Sequence, residues 1–166
     1  VADYIGQGES AGAVLRLDGR KHPLVENAPG YFMGATLFDH VTSAMRIYQD
    51  EIFGPVLCVV RVDDFDQAIE LINAHQYGNG TCLFTRAGEA ARRFTDEVEV
   101  GMVGINVPLP VPVAFHSFGG WKESLFGDLH AYGPDAVRFY TRRKAVSQRW
   151  PTESAQETAQ FSFPSH

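Results

Sequence analysis

Short apolar runs recur along this chain between polar turns and amphipathic stretches. The strongest run, Val56–Val62, is rich in β-branched residues, opens after Gly54-Pro55 and ends at Asp63-Asp64. A run of this length bounded by turn residues predicts a buried β-strand. Similar patterns predict further extended segments at Ala13–Leu17, Phe32–Phe38, Arg46–Tyr48, Thr81–Thr85 and Met102–Ile105.

Two stretches between the predicted strands have the spacing of amphipathic helices. Asp64 is followed three residues later by Gln67, which is the pattern of a capping box at a helix start. The first helix is predicted to bury Ala68, Ile69 and Ile72, and the second has an apolar face made of Ala87, Ala90, Ala91, Phe94 and Val98. Strands that alternate with helices in this way predict an α/β fold built from parallel βαβ units.

The two ends of the chain depart from this alternation. Val1, Tyr4 and Ile5 have helical spacing without a start signal, so we expect the chain to begin inside a helix. Lys144–Trp150 alternates enough to predict a terminal strand. The polar stretch Pro151–His166 is expected to be disordered.

A long loop is predicted before the last helix. Pro108, Pro110 and Pro112 alternate with apolar residues, and proline cannot donate to a strand ladder. Residues 106–120 are therefore predicted to form an extended loop, and long loops inside a domain are often functional. Gly133-Pro134 then opens the last predicted helix, because proline is favoured at the first helical position.

Composition and charge argue against a nucleic-acid-binding protein, a membrane-spanning protein and a disulfide-bonded protein. The 166 residues are 45% hydrophobic with a net charge of −6, which argues against general nucleic-acid binding because that needs clustered positive charge. No apolar run approaches the ~20 residues of a membrane-spanning helix. Cys58 and Cys82 both lie in apolar runs, so we expect free thiols and a reducing, cytoplasmic location.

Three motifs carry a resemblance to one enzyme family. Asp50–Val56 reads Asp-Glu-Ile-Phe-Gly-Pro-Val and resembles the cofactor-contacting motif of the aldehyde dehydrogenase superfamily. Ser117–Ser124 is similar to the late Phe-Gly-Gly signature of that family. Within the superfamily, Gly104–His116 looks like the CoA-acylating methylmalonate-semialdehyde dehydrogenase branch. The resemblance extends to about Pro151 and corresponds to the C-terminal third of such an enzyme.

The resemblance implies NAD-dependent oxidation of malonate or methylmalonate semialdehyde, a small-molecule aldehyde. A cysteine thiolate attacks the aldehyde, hydride moves to the nicotinamide, and the thioester passes to CoA with loss of CO2. Glu51 is then expected to hydrogen-bond the nicotinamide ribose hydroxyls, and Phe53 to pack near the nicotinamide. Phe118 is expected to line the aldehyde tunnel, and Phe115 is a further candidate there.

The same resemblance places the catalytic nucleophile and the dinucleotide-binding fold upstream of this region. No G-x-G-x-x-G or P-loop occurs here, and Cys58 and Cys82 look like buried core residues rather than nucleophiles. We therefore expect no catalytic residue and no metal site in this chain, and no activity from it alone. His116 is either a pocket group or a loop histidine satisfied by the backbone.

The resemblance also implies a domain organisation. Residues 1–143 are expected to belong to the catalytic domain, 144–150 to a strand of a sheet shared in a homo-oligomer, and 151–166 to a tail. Nucleic-acid and membrane partners are not expected. Two alternatives stay open: another branch of the superfamily that hydrolyses its thioester, and a non-enzymatic binding or assembly module of this fold.

Overall fold

The computed structural model describes residues 1–113, 115–148 and 150, which form an α/β fold and confirm the predicted class. The helices are α1 (Ala2–Ser10), α2 (Pro23–Asn27), α3 (Arg46–Gln49), α4 (Phe65–Ala74), α5 (Gly88–Glu97) and α6 (Ala136–Tyr140), with 3₁₀ turns at Gly19–Lys21 and Gly133–Asp135. The strands are β1 (Val14–Leu17), β2 (Thr36–Asp39), β3 (Val56–Cys58), β4 (Tyr77–Gly78), β5 (Gly80–Leu83), β6 (Met102–Ile105) and β7 (Trp121–Lys122). None of the helices in these residues is long and apolar enough to cross a membrane.

The strands pair in three small sheets. The first has the order β1-β2-β3, with β1 antiparallel and β3 parallel to β2. The second pairs β4 with β7 antiparallel, and the third pairs β5 with β6 in parallel. The parallel β5-α5-β6 unit confirms the expectation of a βαβ crossover. The paired residues of β3 and β5 fall in different sheets, so the described residues do not form one continuous sheet.

Two hydrophobic cores lie beneath these sheets. The first packs α1 and α3 against the sheet of β1, β2 and β3, and it is built from Ile5, Ala13, Phe38, Val41 and Ile47. The second packs α4 and α5 against β5 and β6, around Ile69, Phe94, Val98 and Val100. Burial of these side chains is the main stabilising contribution of each half, because free energy scales with the apolar area removed from water.

A buried carboxylate lies at the end of β2, the central strand of the first sheet. Asp39 is only 6% exposed, and its two oxygens accept hydrogen bonds from Nε and Nη2 of Arg61 at 2.9 and 2.8 Å. This bidentate pair holds the pKa of Asp39 well below its usual range. The ion pair connects the end of β2 to the segment that follows β3, and it lies on the same sheet as the predicted cofactor motif.

The predicted extended segment at Arg46–Tyr48 is wrong, because these residues form the one-turn helix α3. The Arg46 guanidinium pairs with Asp50 four residues later, which is helical spacing. The predicted buried strand at Val56–Val62 is also too long. Only Val56–Cys58 forms β3. Val56 and Cys58 pack against the first core, whereas Leu57 between them lies on the opposite face of the sheet and is 64% exposed.

The predicted terminal strand at Lys144–Trp150 is not seen in the described residues of this segment. Residues 144–148 are exposed and belong to no strand, and residue 149 lies outside the described residues. A lone strand needs a partner edge, and none of the seven strands in the described residues pairs with these residues. The use of this segment in an oligomer stays a prediction, and the expected disorder of Pro151–His166 falls outside the described residues.

The start of α4 follows the capping pattern with one displacement. The Asp64 carboxylate accepts a hydrogen bond from the Gln67 N–H at 2.9 Å, as predicted. The Gln67 side chain, however, accepts from the N–H of Asp63 at 3.2 Å, one residue before the usual capping-box partner. Two backbone donors at the helix entrance are therefore satisfied by side chains.

Replacing Asp64 with alanine removes the capping acceptor and is expected to lower the free energy of unfolding by about 1 kcal/mol. Asp63→Ala is the matched control, because it removes an adjacent carboxylate but leaves the Asp63 N–H that Gln67 accepts from. Urea unfolding followed by circular dichroism measures both. An equal loss in the two variants would show that charge near the helix start, rather than the capping bond, is responsible.

Candidate functional site

The segment 51–55 connects α3 to β3 and exposes two of its side chains. Ile52 packs against the first core, whereas Glu51 and Phe53 on either side of it are exposed, Phe53 by 86%. Within the described residues, no side-chain hydrogen bond or ion pair engages the Glu51 carboxylate. The segment thus presents a carboxylate and an aromatic ring to solvent from a backbone anchored in the core.

The backbone of this segment is held by the sheet and by α1. The Pro55 carbonyl accepts a hydrogen bond from the Thr36 N–H at 2.8 Å, which joins the motif to β2. Phe53 has a φ of +58°, a left-handed conformation that is uncommon for residues other than glycine. A Cβ at Gly54 would lie 2.6 Å from Cγ2 of Val1, so glycine lets α1 approach the motif closely. Such a constrained backbone outside regular structure is typical of functional segments.

Asp50, directly before Glu51, ties α3 to α1. Its Oδ2 accepts from the Tyr4 hydroxyl at 2.9 Å and from Nε and Nη2 of Arg46 at 3.1 and 2.7 Å. The Arg46 guanidinium, followed by the Tyr4 hydroxyl, lowers the pKa of Asp50. The two adjacent carboxylates therefore differ in their partners: Asp50 is bound to α1 and α3, whereas Glu51 has no side-chain partner among the described residues.

A shallow depression of about 340 Å³ adjoins the motif. Polar and apolar groups both line it, namely Ile47, Asp50, Glu51, Ile52, Phe53, Gly54, Val56 and Cys58. A carboxylate beside an exposed ring can accept from paired hydroxyls while the ring covers a flat heterocycle. This lining is compatible with the roles expected of Glu51 and Phe53.

Phe118 and Phe115 lie in a different part of the structure. Phe118 is 43% exposed and its ring packs against Tyr132, with centroids 4.7 Å apart. Phe115 is 74% exposed and meets the His116 ring edge to face at 5.4 Å. Neither phenylalanine lines the depression beside Glu51 and Phe53. The predicted cofactor residues, Glu51 and Phe53, and the predicted tunnel residues, Phe118 and Phe115, therefore do not share one depression in this chain.

The glycines after Phe118 allow close backbone packing. A Cβ at Gly101, at the entrance to β6, would lie 2.1 Å from the Gly119 carbonyl oxygen. Gly120 is buried, and a Cβ there would meet the Cβ of Ser124 at 2.4 Å. Ser117 also hydrogen-bonds the His130 ring. The position of Phe118 thus depends on backbone contacts that only glycine permits.

Lys122, the second residue of β7, caps the C-terminal end of α4. Its ammonium group donates to the carbonyls of Asn73 at 2.7 Å and His75 at 3.2 Å. Cations at a helix C-terminus satisfy carbonyls that lack partners within the helix and interact favourably with the helix dipole. This lysine connects the Phe-Gly-Gly segment to the second core.

The cysteines show no sign of activation. Burial raises the pKa of the Cys58 thiol, whose Sγ contacts the Ile47 carbonyl at 3.5 Å. A reactive cysteine needs the opposite, an exposed and electropositive setting that favours the thiolate. Cys82 is half-buried in β5. In the part of the chain that the structure describes, no group of three or more His, Cys, Asp and Glu side chains could hold a metal ion.

Comparison with known proteins decides the family. The profile of the aldehyde dehydrogenase family matches residues 1–146. This chain belongs to the aldehyde dehydrogenase family. It is 66% identical over 165 residues to the malonate-semialdehyde dehydrogenase of Pseudomonas aeruginosa PAO1, and the match covers 99% of this chain and 33% of the relative. The chain thus spans about a third of the length of that relative.

Solved structures of family members have the same fold. The methylmalonate-semialdehyde dehydrogenase of Oceanimonas doudoroffii superposes with a TM-score of 0.82 at 67% identity, covering 90% of this chain and 31% of that protein. The Mycobacterium tuberculosis aldehyde dehydrogenase, solved with NAD+, superposes with a TM-score of 0.74 at 31% identity, covering 86% of this chain and 28% of that protein. The recognition from the motifs is confirmed at the level of the family and its semialdehyde branch.

Sequence reasoning on this aldehyde dehydrogenase segment missed two residues. Asp50 was identified only as part of the motif. Its four-residue spacing from Arg46 is that of a helical ion pair, and this spacing was a sequence signal for its structural role. Lys122 carried a weaker signal, since its partners are backbone carbonyls of a distant helix. The roles expected of Glu51, Phe53, Phe118 and Phe115 stay predictions.

Gly101→Ala is expected to destabilise the chain by about 1–3 kcal/mol, because the new methyl group would overlap the Gly119 carbonyl unless the Phe-Gly-Gly backbone moves. Gly88→Ala, at the start of α5, is the matched control. Nothing lies within 4 Å of its Cβ position, so the same change should stabilise by about 0.4–1 kcal/mol. Urea titrations of both variants measure these effects, and a neutral Gly101→Ala would contradict the packing described.

Proposed function

We propose that this chain is the C-terminal third of an NAD-dependent, CoA-acylating dehydrogenase that converts malonate or methylmalonate semialdehyde to acetyl- or propionyl-CoA. The observation that carries the proposal is the Glu51 carboxylate, exposed and without an internal partner, beside the exposed Phe53 ring. The names of the relatives that are 66% and 67% identical to this chain support the substrate class.

In this proposal Glu51 accepts hydrogen bonds from the two hydroxyls of the nicotinamide ribose. Bonds to a charged acceptor are stronger than neutral ones, and a carboxylate has an oxygen for each hydroxyl. Phe53 limits where the nicotinamide ring can lie. NAD, when bound, supplies the hydride acceptor; Glu51 and Phe53 supply orientation, to which hydride transfer is sensitive.

Phe118 and Phe115 are proposed to line the approach of the aldehyde. Both rings are exposed in this chain, and the glycines after Phe118 fix its backbone against β6. Apolar rings at this place would exclude water from a thioester that must pass to CoA rather than be hydrolysed. The nucleophile that forms this thioester is not assigned to either cysteine of the chain.

A cytoplasmic homo-oligomer belongs to the same proposal. Residues 144–148 are exposed and pair with no strand in the part of the chain that the structure describes, which leaves their backbone available to a neighbouring subunit. The hydrolytic branch and the non-enzymatic module are less well supported. The match to a solved aldehyde dehydrogenase outside the semialdehyde branch is 31% identical, against 67% for the methylmalonate-semialdehyde enzyme.

The role of Glu51 can be tested in a full-length chimera, in which this chain replaces the matching third of the Pseudomonas aeruginosa relative. Glu51→Gln removes the charge but keeps the size of the side chain. Losing a charge-assisted hydrogen bond costs about 1.5–3 kcal/mol, so single-turnover NADH formation should slow by roughly ten- to hundredfold.

Glu70→Gln is the control for this change, because Glu70 is an exposed carboxylate on α4. It should leave NADH formation within about twofold, since Glu70 does not line the depression and an exposed charge contributes little. Unchanged hydride transfer in Glu51→Gln, with an active parent chimera, would contradict the ribose-binding role.

The isolated chain should form no NADH from methylmalonate semialdehyde, NAD and CoA. The reason is that neither Cys58, with its raised thiol pKa, nor Cys82 is set up as a nucleophile. Absorbance of NADH measures the reaction, with the chimera as the positive control. Turnover that persists through repeated purification, and disappears in Cys82→Ser or Cys58→Ser, would overturn the expectation.

A further inference from the structure

The carbonyls of the last two residues of the one-turn helix α3 accept no hydrogen bond from within the helix. Its last hydrogen bonds use the carbonyls of Met45 and Arg46, which leaves the oxygens of Tyr48 and Gln49 without helical donors. Both are satisfied from another element. His75 Nε2 lies 3.1 Å from the Tyr48 oxygen, and Gln76 Nε2 donates to the Gln49 oxygen at 3.0 Å.

The surroundings of His75 fix which ring nitrogen carries the hydrogen. Its Nδ1 accepts from the backbone N–H of Tyr77 at 3.0 Å, and a backbone N–H can only donate. The single hydrogen of the neutral ring therefore resides on Nε2, where it is donated to Tyr48. The Tyr48 ring also meets the imidazole edge to face, with centroids 4.9 Å apart, so the ring has little freedom to rotate.

The part of the chain that carries His75 is itself firmly held. His75 is the C-cap residue that follows α4, and Lys122 donates to its carbonyl at 3.2 Å and to that of Asn73 at 2.7 Å. The Tyr48 hydroxyl donates to the Leu71 carbonyl at 3.2 Å, a second contact between α3 and α4. The end of α4 is therefore a fixed point from which the end of α3 is held.

We propose that His75, together with Gln76, is a positioning residue for Glu51. The inference rests on the proposed function, in which Glu51 orients the nicotinamide ribose. Glu51 follows Gln49 by two residues, and the Asp50 between them is already held by Tyr4 and Arg46. Because the Tyr48 and Gln49 carbonyls are held by His75 and Gln76, the backbone from which Glu51 extends is fixed beside the depression that Glu51 and Phe53 line.

Two substitutions at His75 in the full-length chimera separate its two hydrogen bonds. The Oδ1 of asparagine can replace Nδ1 as the acceptor for Tyr77, but asparagine is too short to reach Tyr48. The Nε2 of glutamine can replace the donor to Tyr48. His75→Asn should therefore slow single-turnover NADH formation by roughly two- to tenfold, as expected for a lost neutral hydrogen bond, whereas His75→Gln should restore it to within about twofold.

A double-mutant cycle with Glu51→Gln tests whether His75 acts through Glu51. In the Glu51→Gln background, His75→Asn should cause no further slowing, while its effect on thermal stability is the same in both backgrounds. Gln76→Met, a change to an exposed side chain that removes the donor to Gln49, should show the same dependence on Glu51. This variant tests the inference even if His75→Asn does not fold.

Each outcome has one meaning. Equal rates for His75→Asn and His75→Gln, or slowing of the same size with and without Glu51, would overturn the positioning role. If Glu51→Gln slows the reaction but the His75 and Gln76 variants do not, only this inference fails. If Glu51→Gln itself has no effect, the proposed function of Glu51 fails, and the positioning role with it.

Discussion

The rest of this structure depends on the hydrogen bonds that hold the C-terminal end of α4. The two hydrophobic cores share no sheet among the described residues, and polar contacts at this helix end connect them. Tyr48 and Gln49 meet it from the first core, and Lys122 meets it from the Phe-Gly-Gly segment. Hydrogen bonds to backbone carbonyls are directional, so they fix the relative placement of two small cores in a way that apolar contact alone would not.

This arrangement explains how a short connecting segment can present a binding group accurately. Glu51 is not in a helix or strand, yet the residues on both sides of it are restrained: Asp50 by an arginine and a tyrosine, Ile52 by the core, and Pro55 by β2. A ligand then does not have to order the segment on binding, which would cost conformational entropy. Sites supported by a rigid surrounding shell hold their geometry better than sites on free loops.

The sequence was most informative where structure is local. The Asp64 cap and the β5-α5-β6 unit follow from patterns within a few turns of chain. The extended segment predicted at Arg46–Tyr48 was wrong because the local signal for a helix was a single Arg46–Asp50 ion pair, while the contacts from His75 and Gln76 that hold this one-turn helix come from a distant element. The apolar run after Pro55 correctly indicated a strand, but it did not indicate that Leu57 in this strand is exposed. An apolar pattern shows that a strand is suited to burial, but it does not show which element covers each face. For the site, a motif identified Glu51, whereas its supporting contacts come from distant elements.

The contact between Val1 and Gly54 has a practical consequence. The Val1 side chain occupies the space beside Gly54 that any larger residue would fill, so the first turn of α1 forms one wall next to Phe53. A fluorophore attached to a cysteine in place of Val1 would sit a short distance from the proposed nicotinamide position. Its emission would then report the arrival of a nucleotide at this segment directly, without any chemical turnover.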